Sequence, residues 1–560
     1  MIERAIMEEP HFAVAYNDLG NIGIEQGRTA DAISCYRRAL EIAPEFPETY
    51  NNLGNACQMQ DSVDEAIACY RKAIELRPGY PEAYRNLGSA YLRAGRGPEA
   101  SRVFETALVL NPELAEVLPL IVREMQHSCA WAGLDRFSEK VIDLVENGSG
   151  AVSPFIFLSL DTTPAQRLRC ARQWADEHLP SAGARPQARQ EGGPITIGYL
   201  SADFQEHATA HLISELFSLH DRTRFRVFAY SYGRDDGGAT RRRIVSSVDR
   251  FIDLEAASFA DAAASIRADA VDILVDLKGY TACARPQILA LRPAPIQVSY
   301  LGYPGTMGTD FVDFILADPF VLPARQQPNF AERIVHLPDC YQVNDATRPI
   351  STRIPAREEC GLSEAGFVFC CFNAACKITP LVFDRWMRLL AATEGTVLWL
   401  LESNPQATVN LRREAEARGI RDDRLIFAPE LPNPDHLARF ALADLFLDTL
   451  PYNAHTLASD ALWGGCPVLT CSGETFPSRV AGSLLRAVGL PELVTTSLAE
   501  YEALALSLAR DPDRLRRLRA KLHTNRLSFP LFDSRRFARN LEQAYLAMWV
   551  LRDNLPRTVV

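Results

Sequence analysis

Apolar and small residues recur along the first 112 residues with a spacing of 34. Pro10, Pro44, Pro78 and Pro112 share one phase. Leu19-Gly20, Leu53-Gly54 and Leu87-Gly88 share a second; Tyr16, Tyr50 and Tyr84 a third; Tyr36, Tyr70 and Phe104 a fourth; Ala39, Ala73 and Ala107 a fifth. This is the tetratricopeptide period: two helices per unit, small residues where the helices touch, aromatics in the gaps and a proline closing each unit. After residue 190 the pattern changes to short apolar runs alternating with amphipathic helical stretches.

Ala5 and Pro10 lie 34 before Ala39 and Pro44, so residues 1–9 are expected to form the second helix of a repeat whose first helix is missing. Three full repeats are near the minimum for such an array, and its C-terminal end needs a cap. One register is polar: Asp18, Asn52 and Asn86 each precede the Leu-Gly pair. Such a row is either a solvated helix face or a ladder that hydrogen-bonds the backbone of an extended acceptor peptide.

Residues 113–190 read as irregular helices, including 114–126 and 164–178, and the stretch 181–193 reads as a linker by composition. Beyond it, strands are expected at 195–200, 225–232, 273–277, 296–301 and 314–317, then at 367–372, 397–401, 425–427, 445–447 and 468–470. Helical patterns lie between most of them, for example 260–268, 380–391 and 433–442. Strand–helix alternation predicts parallel sheets covered on both faces, hence two doubly wound lobes. The expected division is 1–120 for the repeats, 121–190 for a helical connector, 191–345 for a first lobe and 346–560 for a second lobe with a terminal helix.

Composition narrows the class. A net charge of −11 argues against binding nucleic acid mainly by charge. No apolar run reaches the ~18 residues of a membrane span, and the first residues are not a signal peptide. The 13 cysteines are odd in number and show no paired C-x-x-C spacing. This fits buried thiols in a reducing cytoplasm better than a disulfide framework or a zinc site.

Ligands of doubly wound sheets bind outside the carboxyl ends of the strands, so the strand exits are the places to look for chemistry. His207 follows the first strand and is either an ordinary loop residue or a proton carrier. Asp276 and Lys278 end the strand at 273–277, as a structural ion pair or facing a cleft. Gly302, Gly305 and Gly308 would let backbone approach a ligand closely. Lys377 follows the strand at 367–372, either opening the next helix on the surface or neutralising a phosphate. The richest exit is Asp448 to Gly465. Thr456 is expected as N-cap and Gly464-Gly465 as C-cap of a helix whose free N–H groups suit a diphosphate, with Asp460 one turn inside. No H-E-x-x-H, G-x-S-x-G or Walker pattern occurs, and nothing points to a carboxylate-held metal.

The repeats, followed by Gly198-Tyr-Leu-Ser-Ala-Asp-Phe, Asp276-Leu-Lys-Gly-Tyr-Thr, Leu291-Arg-Pro-Ala-Pro-Ile-Gln, Leu301-Gly-Tyr-Pro-Gly-Thr, Phe372-Asn…Lys377, His455-Thr456…Asp460-Ala-Leu-Trp-Gly-Gly-Cys-Pro-Val and Ser528-Phe-Pro-Leu-Phe-Asp, resemble the protein O-linked N-acetylglucosamine transferases. The resemblance covers nearly the whole chain, in order. It implies a tetratricopeptide superhelix followed by an α/β GT-B fold of two Rossmann-like lobes. It implies an inverting, metal-independent transfer of sugar from a nucleotide diphosphate sugar to Ser or Thr of a protein, with the nucleotide sugar as co-substrate and no cofactor. By motif, Lys377 would stabilise the leaving diphosphate together with His455 and Thr456, near Asn373. Asp460 would bind the ribose and His436 and Arg439 the base. His207 and Asp276 would face the sugar and the acceptor hydroxyl, either one able to help remove its proton. Asp18, Asn52 and Asn86 would meet acceptor proteins in the repeat groove.

Three positions depart from the family pattern: Ala374 where an amide is common, Asn433 where a lysine contacts the ribose, and Leu457 where a second threonine follows His-Thr. All three touch the donor. N-acetylglucosamine from UDP-GlcNAc is the leading expectation, with GDP-fucose or UDP-glucose as other donors and a non-catalytic repeat scaffold as the reading from a different class. The short repeat array resembles bacterial members.

Overall fold

The computed structural model describes residues 9, 11–189 and 192–552; the half-repeat expected at residues 1–9 lies outside the described residues but for Glu9. The chain divides into two compact units, 1–141 and 142–560.

In the first unit, six helices form three antiparallel pairs: α1 (Ala13–Glu25) with α2 (Thr29–Ile42), α3 (Pro47–Met59) with α4 (Val63–Leu76), and α5 (Pro81–Arg93) with α6 (Gly97–Leu110). Pro47 and Pro81 open their helices at the first position, where a missing N–H costs nothing. The 34-residue phase is a packing rule. A Cβ on Gly20, Gly54 or Gly88 would sit 2.4, 2.6 and 2.4 Å from a ring carbon of Tyr36, Tyr70 and Phe104. Glycine is therefore what lets the paired helices close on those rings. The Tyr36 hydroxyl donates to Asn21 Oδ1 at 2.8 Å and the Tyr70 hydroxyl to Asn55 Oδ1 at 2.7 Å. The third unit has Phe104 and, at the amide's position, Ser89, which bonds its own helix at Arg85 O instead. Ring hydroxyl and amide appear and disappear together.

The second unit holds two fully parallel sheets. The first comprises β1 (Ile195–Ser201), β2 (Phe225–Ser231), β3 (Arg250–Asp253), β4 (Ile273–Asp276), β5 (Ile296–Ser299), β6 (Phe314–Ala317) and β7 (Arg333–His336), in spatial order β3-β2-β1-β4-β5-β6-β7. The second comprises β8 (Val368–Cys371), β9 (Val397–Leu401), β10 (Leu425–Ala428), β11 (Leu445–Leu447), β12 (Val468–Cys471) and β13 (Val494–Thr495), in order β10-β9-β8-β11-β12-β13. Strand order reverses between β1 and β4 in one sheet and between β8 and β11 in the other, and such switch points open a crevice at the carboxyl ends. All ten expected strands are present. The three unexpected ones, β3, β7 and β13, are sheet edges. β3 and β7 have exposed polar ends and half-buried centres, so they lack the apolar run that marks a central strand.

Two expectations need correction. Residues 181–189 of the expected linker, which follow helix α7 (Pro164–His178), are tied to the first lobe: Gly183 N donates to Ala290 O, Arg185 bonds Pro295 O and Asp313, both at 2.6 Å, and Arg189 Nε donates to both carboxylate oxygens of Asp272 at 3.0 and 2.9 Å. The terminal helix α11 (Ser534–Leu551), expected with the second lobe, bonds to the first. Glu542 Oε1 accepts from Asp221 N at 2.8 Å and lies 3.2 Å from His220 Nδ1, and the Tyr545 hydroxyl meets that of Tyr199, on β1, at 3.1 Å. Its buried Tyr545 and Met548 need an apolar setting, and the helix packs on the first lobe at Leu216–Leu219 and beside Tyr199 of the central strand β1, which no local pattern could reveal. Among the described residues no helix is long and apolar enough to cross a membrane.

Candidate active site

The four strand exits at the two switch points carry the residues singled out above. Lys377 follows β8 and His455 follows β11; His207 follows β1 and Asp276 ends β4. Helix α8 (Ala208–Ile213), opened by the His207 loop, packs against α10 (Thr456–Trp463), opened by His455, so the exits of the two lobes meet across one crevice.

On the second lobe, the Lys377 ammonium donates to Asn453 O at 2.8 Å and lies 3.9 Å over the ring of Tyr452. Burial pushes its pKa down to about 8, against the nearby thiols of Cys376 and Cys371 and the carboxylate of Asp448, which push it back up. Asp448, at the exit of β11, accepts from Thr470 Oγ1 at 2.6 Å, Ala454 N at 2.6 Å and Thr449 N at 2.8 Å, and burial raises its pKa to about 6. The Asn373 amide donates to Thr449 Oγ1 at 2.8 Å, tying the exits of β8 and β11 together, while its buried Oδ1 has no protein partner.

The N-cap of α10 is His455, not Thr456, which is the first helical residue. No side chain caps this end, so its first N–H groups stay open to an anion. His455 Nε2 donates to Pro477 O at 3.2 Å. Burial, then repulsion by Lys377, drops its pKa well below the ordinary histidine range and keeps the ring neutral. Gly464 caps the far end, followed by Gly465 at φ +85°, as expected. Asp460 is 3 % exposed, and its Oδ1 accepts from Arg348 Nη1 at 2.5 Å. Its Oδ2 lies 4.0 Å from Nε2 of His436 on α9 (Asn433–Arg439). His436 Nδ1 meets Arg439, whose guanidinium lies 4.2 Å over the Phe372 ring and donates to Pro429 O at 2.7 Å. Burial and Arg439 push His436 down to about 4, and its buried Nε2 has no protein partner. Arg439 lines an open cavity of about 430 Å³ with Trp399, Phe427 and Pro429.

On the first lobe, His207 is exposed and caps α8, its Nδ1 accepting from Thr209 N at 3.2 Å. Burial of its surroundings lowers its pKa, and Asp203 Oδ2 lies 3.4 Å from Nδ1. Lys278 pairs with Asp203, at 2.9 and 3.0 Å, rather than with Asp276. Asp276, 4 % exposed, is turned back on its own loop, where Gly279 N donates to it at 2.7 Å, and burial raises its pKa to about 6. The structure thus leaves His207 reachable and Asp276 occupied.

The repeat row, in the first unit, is only half open. The Asn52 amide donates to Asn17 Oδ1 at 3.1 Å and Asn21 Oδ1 at 3.2 Å, and the Asn86 amide to Asn51 Oδ1 at 2.9 Å. These amides knit each first helix to that of the preceding repeat. Asp18, at the head of the row, lies 3.5 Å from the Asn17 amide. Sequence reasoning missed Arg348 and Tyr452 and left Asp448 without a role. Only Asp448 had a usable signal, its position at the end of a central strand.

Two parallel-sheet lobes that turn their strand ends, an ammonium and an open helix N-terminus toward one crevice have the two-lobed GT-B architecture. Residues 178–352 and 346–541 match glycosyl transferase family 41, and residues 20–61, 60–95 and 83–117 match tetratricopeptide repeat families. The chain belongs to glycosyl transferase family 41. It is 36 % identical over 455 residues to a probable UDP-N-acetylglucosamine–peptide N-acetylglucosaminyltransferase, SEC, of Arabidopsis thaliana, covering 77 % of this chain and 46 % of that one. It is 29 % identical over 549 residues to the UDP-N-acetylglucosamine–peptide N-acetylglucosaminyltransferase of Caenorhabditis elegans, covering 75 % and 48 %. The chain thus spans less than half the length of these curated relatives. A solved mutant of the Thermobaculum terrenum O-GlcNAc transferase superposes with a TM-score of 0.69 at 28 % identity, over 97 % of both chains.

Proposed function

We propose that the protein transfers N-acetylglucosamine from UDP-GlcNAc to serine or threonine hydroxyls of acceptor proteins, with inversion and without a metal, in the cytoplasm. The observation that carries this reading is the pairing of Lys377 with the uncapped N-terminus of α10 across the β8/β11 switch point. In the transfer, the acceptor oxygen attacks the anomeric carbon, the bond from that carbon to the phosphate oxygen breaks, and UDP leaves with the electron pair. The charge that develops on the diphosphate meets the Lys377 ammonium and the open N–H groups behind His455. Preorganised donors of this kind act strongest in a partly desolvated site. The hydroxyl proton goes to His207, whose lowered pKa keeps it neutral and ready to accept. With Thr209 N–H donating to Nδ1 the single ring proton sits on Nε2; in the other tautomer that proton sits on Nδ1 and turns to Asp203 Oδ2, 3.4 Å away, and the bare Nε2 takes the hydroxyl proton. His436, Arg439 and Asp460 hold the nucleoside, and the repeats recruit the acceptor. The unpaired cysteines support a reducing compartment.

Purified protein incubated with UDP-GlcNAc, UDP-glucose and GDP-fucose, with acceptor proteins from its host, tests this reading. Transfer from UDP-GlcNAc that persists in EDTA and falls by about 10²–10³ in Lys377→Met, at unchanged melting temperature, is expected. Full activity in that variant, or extinction by the chelator, rejects the mechanism.

A further inference from the structure

Arg348 lies on the segment that joins the two sheets, 112 residues before its partner Asp460. It is 5 % exposed. Nη1 donates to Asp460 Oδ1, while Nε and Nη2 are buried without a protein partner. The backbone around it is pinned on both sides. Trp463 Nε1, on α10, donates to Arg348 O at 3.3 Å, and Ser459, on the same helix, bonds Asn344 Oδ1. On the first lobe, Glu215 Oε2 accepts from Ala346 N at 3.0 Å and Arg243 pairs with Asp345 at 2.5 Å. The guanidinium therefore cannot drift, and it holds one oxygen of Asp460 so that the other, Oδ2, faces His436 Nε2 across 4.0 Å. That gap is too long for a direct hydrogen bond and is bounded by an acceptor and an unpartnered buried nitrogen. A hydroxyl pair can bond to both.

Resting on the donor site proposed above, we propose that Arg348 is a positioning residue which, by fixing Asp460 opposite His436, makes the site select a nucleoside diphosphate bearing an intact ribose diol. An unbraced Asp460 would lose its fixed rotamer, and the selectivity with it, because discrimination by a hydroxyl depends on leaving a preset polar group unpaired when that hydroxyl is missing.

Calorimetric titration of the whole protein with UDP, 2′-deoxy-UDP and 3′-deoxy-UDP tests this. The wild type is expected to bind at least one deoxy nucleotide about tenfold or more weakly than UDP. In Arg348→Met and Asp460→Asn that ratio should fall to within about threefold, and Arg348→Lys, which keeps the charge on a flexible stem without the rigid planar guanidinium, should lie between. The double variant should discriminate no less than Asp460→Asn alone. Arg348→Met with the wild-type ratio overturns the inference while leaving nucleotide binding intact. Should Arg348→Met not fold, a wild-type ratio in Arg348→Lys together with a collapsed one in Asp460→Asn overturns it equally. Wild-type protein that binds neither UDP nor UDP-GlcNAc rejects the proposed function itself.

Discussion

At the scale of single residues, Lys377 has two demands on its charge. Burial in the crevice disfavours the ammonium and brings its pKa down to about 8. A diphosphate beside it favours the ammonium again. The sign follows: in the free protein Lys377 is charged below about 8 and loses its proton above it, so kcat/KM for the donor should decline as pH rises through that value. Binding of UDP near pH 8 should draw a proton from buffer. His455, kept neutral beside it, is the other group that could take one. Titration of UDP in buffers of different ionisation enthalpy separates the two: uptake should be present in the wild type and largely lost in Lys377→Met. Uptake that persists undiminished would assign the proton to His455.

At the scale of elements, the repeats supply their own control experiment. Asn21 with Tyr36 and Asn55 with Tyr70 are hydrogen-bonded pairs, and Ser89 with Phe104 is the same position without the bond. Asn55→Ala should cost about 1 kcal/mol by stranding a hydroxyl, and adding Tyr70→Phe should recover part of it, since removing both partners is cheaper than removing one. Melting temperatures of the two single variants and the double variant decide it, and strictly additive losses would contradict the pairing. Gly54→Ala should do more damage, because the new methyl meets the Tyr70 ring at 2.6 Å. This also explains what was legible in the chain. Periodic small residues and apolar central strands announce themselves locally, because helix pairing and two-sided burial constrain adjacent positions. The places of Lys377, His455 and Asp460 were legible in the same way, after β8, after β11 and on the helix that β11 leads into. Edge strands β3 and β7 carry no such mark. Neither did the Arg348–Asp460 pair, whose partners are far apart in the chain, nor the cross-lobe seat of α11. Thr456 misled because a good capping residue stands one place after the residue that ends the loop.

At the scale of the whole molecule, acid stability follows from where the histidines lie. Six of the ten, His127, His207, His211, His220, His436 and His455, have pKa values held below the ordinary range, with burial the first cause in each. The unfolded chain therefore binds more protons than the folded one once pH drops to about 6.5, and folding free energy declines from there downward. Four carboxyls oppose this. Asp272, Asp276, Glu332 and Asp448 are raised by burial, so the folded chain takes up protons on them first as pH falls. Asp276 and Asp448 do so near pH 6, below the point where the unfolded histidines are already half charged. The histidines outnumber the acids and begin titrating earlier, so they set the sign. The melting temperature of nucleotide-free protein should fall between pH 7.5 and 6 and decline less steeply per pH unit once the acids join. Glu542→Ala should lower the whole curve by about 2 kcal/mol, because it leaves His220 and the Asp221 N–H without their shared acceptor between α11 and the first lobe. A melting temperature that stays flat or rises from pH 7.5 to 6 would mean that the buried acids dominate the balance.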